Sequence, residues 1–212
     1  MSMIEYPEFV KKDLHRMKSN LKGRQKFETE INYINSLEYR RDFLFSMFES
    51  MPGNSLVLFD RVEGYGRELY EEYKKIHPNT FLIIGEVKAT DREDIRKAME
   101  NYNDAVIFAS YATMQQGVSI KKLHNLFLVS SSKSVIRILQ SLGRLMRLHE
   151  SKDIARIFDI VDNLTFNNEP NYFMQHAEER IKFYDREKHH IKFDTYQISH
   201  YMNKNQSIDQ FI

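Results

Sequence analysis

Gln140-Ser141-Leu142-Gly143-Arg144-Leu145-Met146-Arg147 carries a Q-x-x-G-R-x-x-R pattern inside an otherwise apolar stretch. A helix turns by about 100° per residue, which gathers Gln140, Gly143, Arg144 and Arg147 on one side. Val135, Ile138, Leu139, Leu142, Leu145 and Met146 take the other side, which can bury itself in a core. One amide, a bare glycine and two guanidiniums then share a face. Arginine is always charged, and its planar fork binds two oxygens at once, so this face suits an anionic group such as phosphate.

Moving outward, short apolar runs alternate with helical patterns. Ser55–Phe59, Phe81–Ile84, Ala105–Ala109, Leu126–Val129 and Ile154–Val161 read as strands covered on both faces. Helices are predicted over 3–19, from Ser36 as a cap to Met51, over 63–76, and from a Thr90-Asp91-Arg92-Glu93 capping box to about 101. Met51-Pro52-Gly53-Asn54 signals a turn, and 167–171 a linker before a charged helix over 172–188. This alternation predicts an α/β fold with a parallel sheet of about five or six strands sandwiched by helices. The expected domains are a helical connector over 1–52, the sheet domain over 53–165 and a helical C-terminal extension over 166–212.

The totals exclude several classes. With 212 residues and 42% hydrophobic content, a real core is affordable, while a net charge of +1 excludes a polycation. Nucleic-acid contacts must therefore come from local patches. The absence of cysteine excludes disulfides and thiolate metal sites. The first twenty residues are too charged for a signal peptide, and no apolar run is long enough to span a bilayer. The expectation is a soluble cytoplasmic protein with no membrane partner. No metal site is expected, since Asp185, His189 and His190 lack a further ligand at supporting spacing.

The order of these pieces resembles the second RecA-like motor domain of superfamily 2 helicases. Ser55–Phe59 with its following helix looks like motif IV, Ala109–Ser119 like motif V and Gln140–Arg147 like motif VI. Gly85-Glu86-Val87, Ala109-Ser110-Tyr111, Lys121–Asn125 and Gly143–Arg147 are similar to the UvsW-type recombination helicases of T-even bacteriophages. The resemblance runs over about residues 30–190.

The resemblance implies a motor half of an ATP-dependent DNA helicase acting in recombination and repair. In such helicases ATP and Mg²⁺ sit between two RecA-like domains, and the second contributes arginines to the γ-phosphate. By resemblance, Arg147 is the arginine finger, Arg144 its phosphate-sensing neighbour, and Gln140, Gly143, Gly117 and Ser119 line the nucleotide cleft. Ser110, Thr113 and Gln116, with Lys133, Arg92 and Lys88, would contact single-stranded or branched DNA. Many superfamily members carry aspartate where this chain has Ser119, which puts a carboxylate link there in doubt. The sequence holds no G-x-x-x-x-G-K-[S/T] and no D-E-x-H or D-E-x-D. ATP and Mg²⁺ are therefore expected only together with a first RecA-like domain, supplied in cis or in trans, and the chain alone should not hydrolyse ATP. If the chain is phage-encoded, its place is the host cell cytoplasm.

Two other readings stay open. The chain could be a non-enzymatic RecA-like module that binds nucleic acid or a helicase partner. Gly64-Tyr65-Gly66 followed by Glu86 has the outline of a dinucleotide fingerprint, although Leu69 stands where its third glycine would be.

Overall fold

The apolar runs become strands because both of their faces find a cover. In the computed structural model, which describes residues 1–114, 122–131 and 156–206, the strands are β1 (Ser2–Glu5), β2 (Ser55–Phe59), β3 (Thr80–Ile83), β4 (Val106–Ser110), β5 (Asn125–Leu128), β6 (Arg156–Asn163) and β7 (Asp194–Gln197). Among the described residues the helices are α1 (Glu8–Lys18), α2 (Arg24–Ser36), α3 (Glu38–Ser50), α4 (Arg67–Ile76), α5 (Ala89–Asn101), the single turn α6 (Tyr111–Met114), α7 (Tyr172–Arg186) and α8 (Ser199–Gln206). The strand order is β3-β4-β2-β5-β6-β1-β7, and every pairing is parallel. Seven strands replace the expected five or six.

The chain divides into two compact units, Phe48–Asp159 and Met1–Met47 with Ile160–Ile212. This partition differs from boundaries at 52/53 and 165/166, because the second unit is built from both ends of the chain. Strand β6 belongs to both. Its residues Arg156–Asp159 pair with β5, and Ile160–Asn163 pair with β1.

In the Phe48–Asp159 unit, β2, β4 and β5 are buried along their whole length. Val57 stands opposite Phe108 on one side and Phe127 on the other. The Phe48 ring lies 5.5 Å from Tyr73, 5.9 Å from Phe108 and 4.8 Å from Phe127, each edge to face. Such aromatic pairs add about 0.5–1.5 kcal/mol each beyond the area they bury. At the amino ends of the strands one buried amide does the tying. Asn54 Nδ2 donates to the carbonyls of Met99 (2.9 Å) and Tyr102 (3.0 Å), and Oδ1 accepts from the Ala105 amide (3.0 Å). The Asn54 amide donates to His124 Nδ1 at 3.1 Å. Gly53, at φ +90°, allows this approach: a Cβ there would lie 2.6 Å from His124 Cγ.

After β2 the chain turns through a kinked segment, Val62–Gly66, with Gly64 at φ +73°. A Cβ on Gly66 would run into the buried Phe59 ring. These glycines thus serve a turn and a close helix–strand contact. Leu69, at the fingerprint's third glycine position, is a buried core residue.

In the other unit, β1 corrects the reading of 3–19 as one helix. Ser2 and Ile4 are buried while Met3 and Glu5 are half-buried, a period of two. Pro7, at φ −59° and ψ 153°, separates this strand from α1. Four residues are too few to stand out beside an eleven-residue helix. β7 is a polar strand that alternates half-buried and exposed. Ser36 is likewise not the cap of α3. Its hydroxyl donates to the Tyr33 carbonyl at 2.8 Å and closes α2. Helix α5 starts at Ala89 with Lys88 in the cap position, and Thr90 bonds Asp91 instead.

Charge is buried in this unit. Arg40 grips Asp162 with two bonds, Nε to Oδ1 at 2.7 Å and Nη2 to Oδ2 at 2.9 Å. The two side chains are 1% and 0% exposed. The Tyr6 hydroxyl donates to Asp162 Oδ1 at 2.5 Å. Burial first, and the Asp162 carboxylate second, push the Tyr6 phenol well above its ordinary pKa, so it remains a donor.

Two stability predictions follow from these contacts. Arg40→Ala should cost about 3–5 kcal/mol in urea unfolding, because it strands a buried carboxylate. Gly66→Ala should cost about 1–3 kcal/mol by overpacking against Phe59. Gly85→Ala, with open space where its Cβ would lie, should leave the midpoint nearly unchanged.

Candidate functional site

Open parallel sheets bind ligands outside the carboxyl ends of their strands. In the Phe48–Asp159 unit these ends are Asp60 after β2, Ile84-Gly85-Glu86 after β3, Ser110 at the end of β4 and Ser130 after β5. The motif V candidates Ser110 and Thr113 lie here and come together, but they face inward. Ser110 is 3% and Thr113 is 1% exposed. Their hydroxyls bond one another at 2.8 Å, and the Thr113 amide donates to Ser110 Oγ at 3.2 Å. Ser110 therefore caps the one-turn helix α6. The neighbouring Tyr111, also buried, donates to the Ser130 carbonyl at 2.8 Å and ties the end of β4 to the end of β5.

Lys88 closes the loop after β3, and Arg92 lies in the first turn of α5. Lys88 is exposed. Arg92 is half-buried, and its guanidinium donates to the carbonyls of Val87 (2.9 Å), Gly85 (3.1 Å) and Ile84 (3.3 Å). It holds the β3–α5 loop in shape. The remaining candidates, Gln116, Gly117, Ser119, Lys133, Gln140, Gly143, Arg144 and Arg147, lie outside the described residues.

The sequence reading missed an exposed cluster at this edge. Arg67 donates to Glu63 and to Glu86, each at 3.0 Å, and both partners raise its pKa. Glu63–Arg67 has the i,i+4 spacing of a helical ion pair, which was a usable signal, whereas Glu86 is reached only through the fold. Asp60 keeps an exposed surface, yet desolvation raises its carboxyl pKa above the ordinary value, partly offset by Arg61. Among the described residues no group of three or more His, Asp or Glu could hold a metal, and no helix is long and apolar enough to cross a membrane.

A seven-stranded parallel sheet of this order, flanked by helices, is the fold of a RecA-like helicase motor domain. No known protein-family model matches the chain. It is 29% identical over 183 residues to the ATP-dependent DNA helicase UvsW of Enterobacteria phage T4, covering 80% of this chain and 36% of the phage protein. The crystal structure of T4 UvsW matches at a TM-score of 0.76 and 28% identity, over 93% of this chain and 41% of that one. The C-terminal domain of the DEAD-box protein Dbp5 shares the fold at a TM-score of 0.58 and 10% identity, over 83% of this chain and 93% of that domain. The chain has the RecA-like helicase fold and is homologous to part of T4 UvsW. It spans less than half the length of that helicase.

If Arg92 serves the loop, Arg92→Ala should speed amide exchange across 84–92 while exchange in β4 stays slow. Hydrogen–deuterium exchange read by mass spectrometry checks this. Equal exchange in the variant and the parent would remove the loop-holding role.

Proposed function

We propose that this chain is the second motor half of an ATP-dependent DNA helicase that remodels branched DNA in recombination and repair. The observation that carries the reading is the agreement with T4 UvsW in both sequence and fold over most of the chain. That relative is an ATP-dependent DNA helicase. The ordered motifs, with Q-x-x-G-R-x-x-R last, support it.

The chemistry of the donor set fits one part of the nucleotide. Arg147 and Arg144 would offer guanidiniums to the γ-phosphate oxygens, where charge develops during phosphoryl transfer. Gln140, Gly143, Gly117 and Ser119 would line the cleft. The sequence offers no phosphate loop and no acidic motif for Mg²⁺, so a first RecA-like domain, in cis or in trans, would hold both. DNA, single-stranded or branched, would be contacted through Gln116, Lys133 and Lys88. The buried Ser110 and Thr113 would act by fixing the end of β4 and the start of α6. The working location would be the cytoplasm, that of the host cell if the chain is phage-encoded.

One observation favours a second reading. Without a phosphate loop in its 212 residues, the chain could be a non-enzymatic module that binds DNA or a helicase partner. Mixing separates the two. Adding the purified product of a frame that encodes a phosphate-loop domain should produce ATPase activity absent from either chain alone. DNA binding without rescued ATPase would support the module.

In the reconstituted enzyme, Arg147→Ala should lower ATP turnover by about 10³-fold, the low end for losing an arginine finger. DNA affinity should stay nearly intact. Unchanged turnover would take Arg147 out of the catalytic role.

A further inference from the structure

We infer that the unit formed by residues 1–47 and 160–212 carries a second contact for DNA, a pocket for unpaired nucleotides of a single strand, outside the helicase motifs. The choice of DNA rests on the proposed function, while the pocket itself does not depend on Arg144 or Arg147. The cavity measures about 590 Å³ and is walled by α1 from Lys11 to its end, by Lys26 of α2, and by the segment from Leu164 after β6 into the first turn of α7.

Its wall carries three lysines and two aromatic rings. Lys11, His15 and Lys18 stand at i, i+4 and i+7 on α1, and Lys26 joins them from α2. Glu169 is the single carboxylate on the wall. Lys11 reaches Glu5 at 3.4 Å and Lys18 reaches Glu30 at 2.5 Å. An ammonium has three donors, so each keeps capacity after one such contact. Lys26 has no acidic partner among the described residues. Phe166 and Tyr172, both half-buried, share this wall. The Phe166 ring lies 4.9 Å from His15, and the Lys18 ammonium lies 4.9 Å from the Tyr172 centroid.

Phe166 is held by backbone. Phe166 and Glu169 exchange two main-chain hydrogen bonds, at 3.2 and 2.9 Å, around Asn167 and Asn168 at φ 51° and 63°. Two positive φ values in a two-residue loop define a tight hairpin turn, and asparagine tolerates that conformation. The ring is therefore placed before any ligand arrives. Lysines that neutralise phosphates beside rings that stack bases are the means by which proteins bind single strands without reading sequence. A duplex keeps its base faces stacked inside and could not use the rings.

The test uses the full chain and a fluorescein-labelled oligo-dT strand, followed by anisotropy across a salt series. Lys26→Glu should weaken binding about tenfold and reduce the salt slope by roughly 0.7, the value for one lost phosphate contact on a single strand. Lys12→Glu, exposed on α1 and off the wall, should change affinity by less than about twofold. A 4-thiothymidine strand should crosslink to Phe166 or Tyr172. Equal effects of the two lysine variants, crosslinks elsewhere, tighter binding of a duplex, or no strand binding by the parent chain would each overturn the pocket. The ATPase of the reconstituted mixture is read independently, so a failed pocket and a failed motor assignment are distinguishable.

Discussion

A guanidinium and a carboxylate removed from water bind the two ends of the chain into one unit. Arg40 of α3 meets Asp162 of β6 with two short bonds, and Tyr6, just beyond β1, adds a third. Neither charge could be buried alone, so each fixes the other's position. The Asp162 carbonyl also accepts from Asn171 Nδ2, which at the same time donates to Glu30. Glu30 is 0% exposed and accepts from the Phe173 amide in the first turn of α7, while Lys18 covers its other oxygen. A carboxylate from one helix thus satisfies the start of another, where unpaired amides and the helix dipole favour negative charge. Five elements are set by one polar network, and such networks specify an arrangement more than they add stability.

The Phe48–Asp159 unit is organised by the opposite means. Its interior is aromatic and aliphatic, and its few buried polar groups, Asn54 above all, sit at the ends of strands. The amino ends are locked by Asn54 and His124. The carboxyl ends carry exposed charge at Glu63, Arg67, Glu86 and Lys88. This polarity agrees with the general placement of ligand sites on open parallel sheets. Ser110, Thr113 and Arg92 show that a polar residue at such an edge need not point outward. Each spends its donors on nearby protein groups and gives the surrounding loops a fixed path.

Much of the fold was legible in the residues. β2, β4 and β5 are continuous runs of Leu, Val, Ile, Phe and Ala, and such runs fit a sheet covered on both faces. β1 and β7 were not legible, because four-residue polar or mixed strands carry little pattern and acquire meaning only through their partners β6 and β1. The role of Ser36 was misread for a related reason. A serine between two helices can cap either, and geometry chose the one behind it.

The sequence by itself determined the parallel α/β class, the order of the segments that resemble helicase motifs and the absence of a G-x-x-x-x-G-K-[S/T] pattern from these 212 residues, since these depend on local periodicity and residue identity. Only the tertiary structure decided which charges are buried, how Glu30 came to cap a helix more than a hundred residues away in sequence, and that Ser110, Thr113 and Arg92 bond inward. The reason is physical. A hydrogen bond or ion pair between distant residues is set by the relative placement of packed elements, and no local pattern of residues encodes that placement.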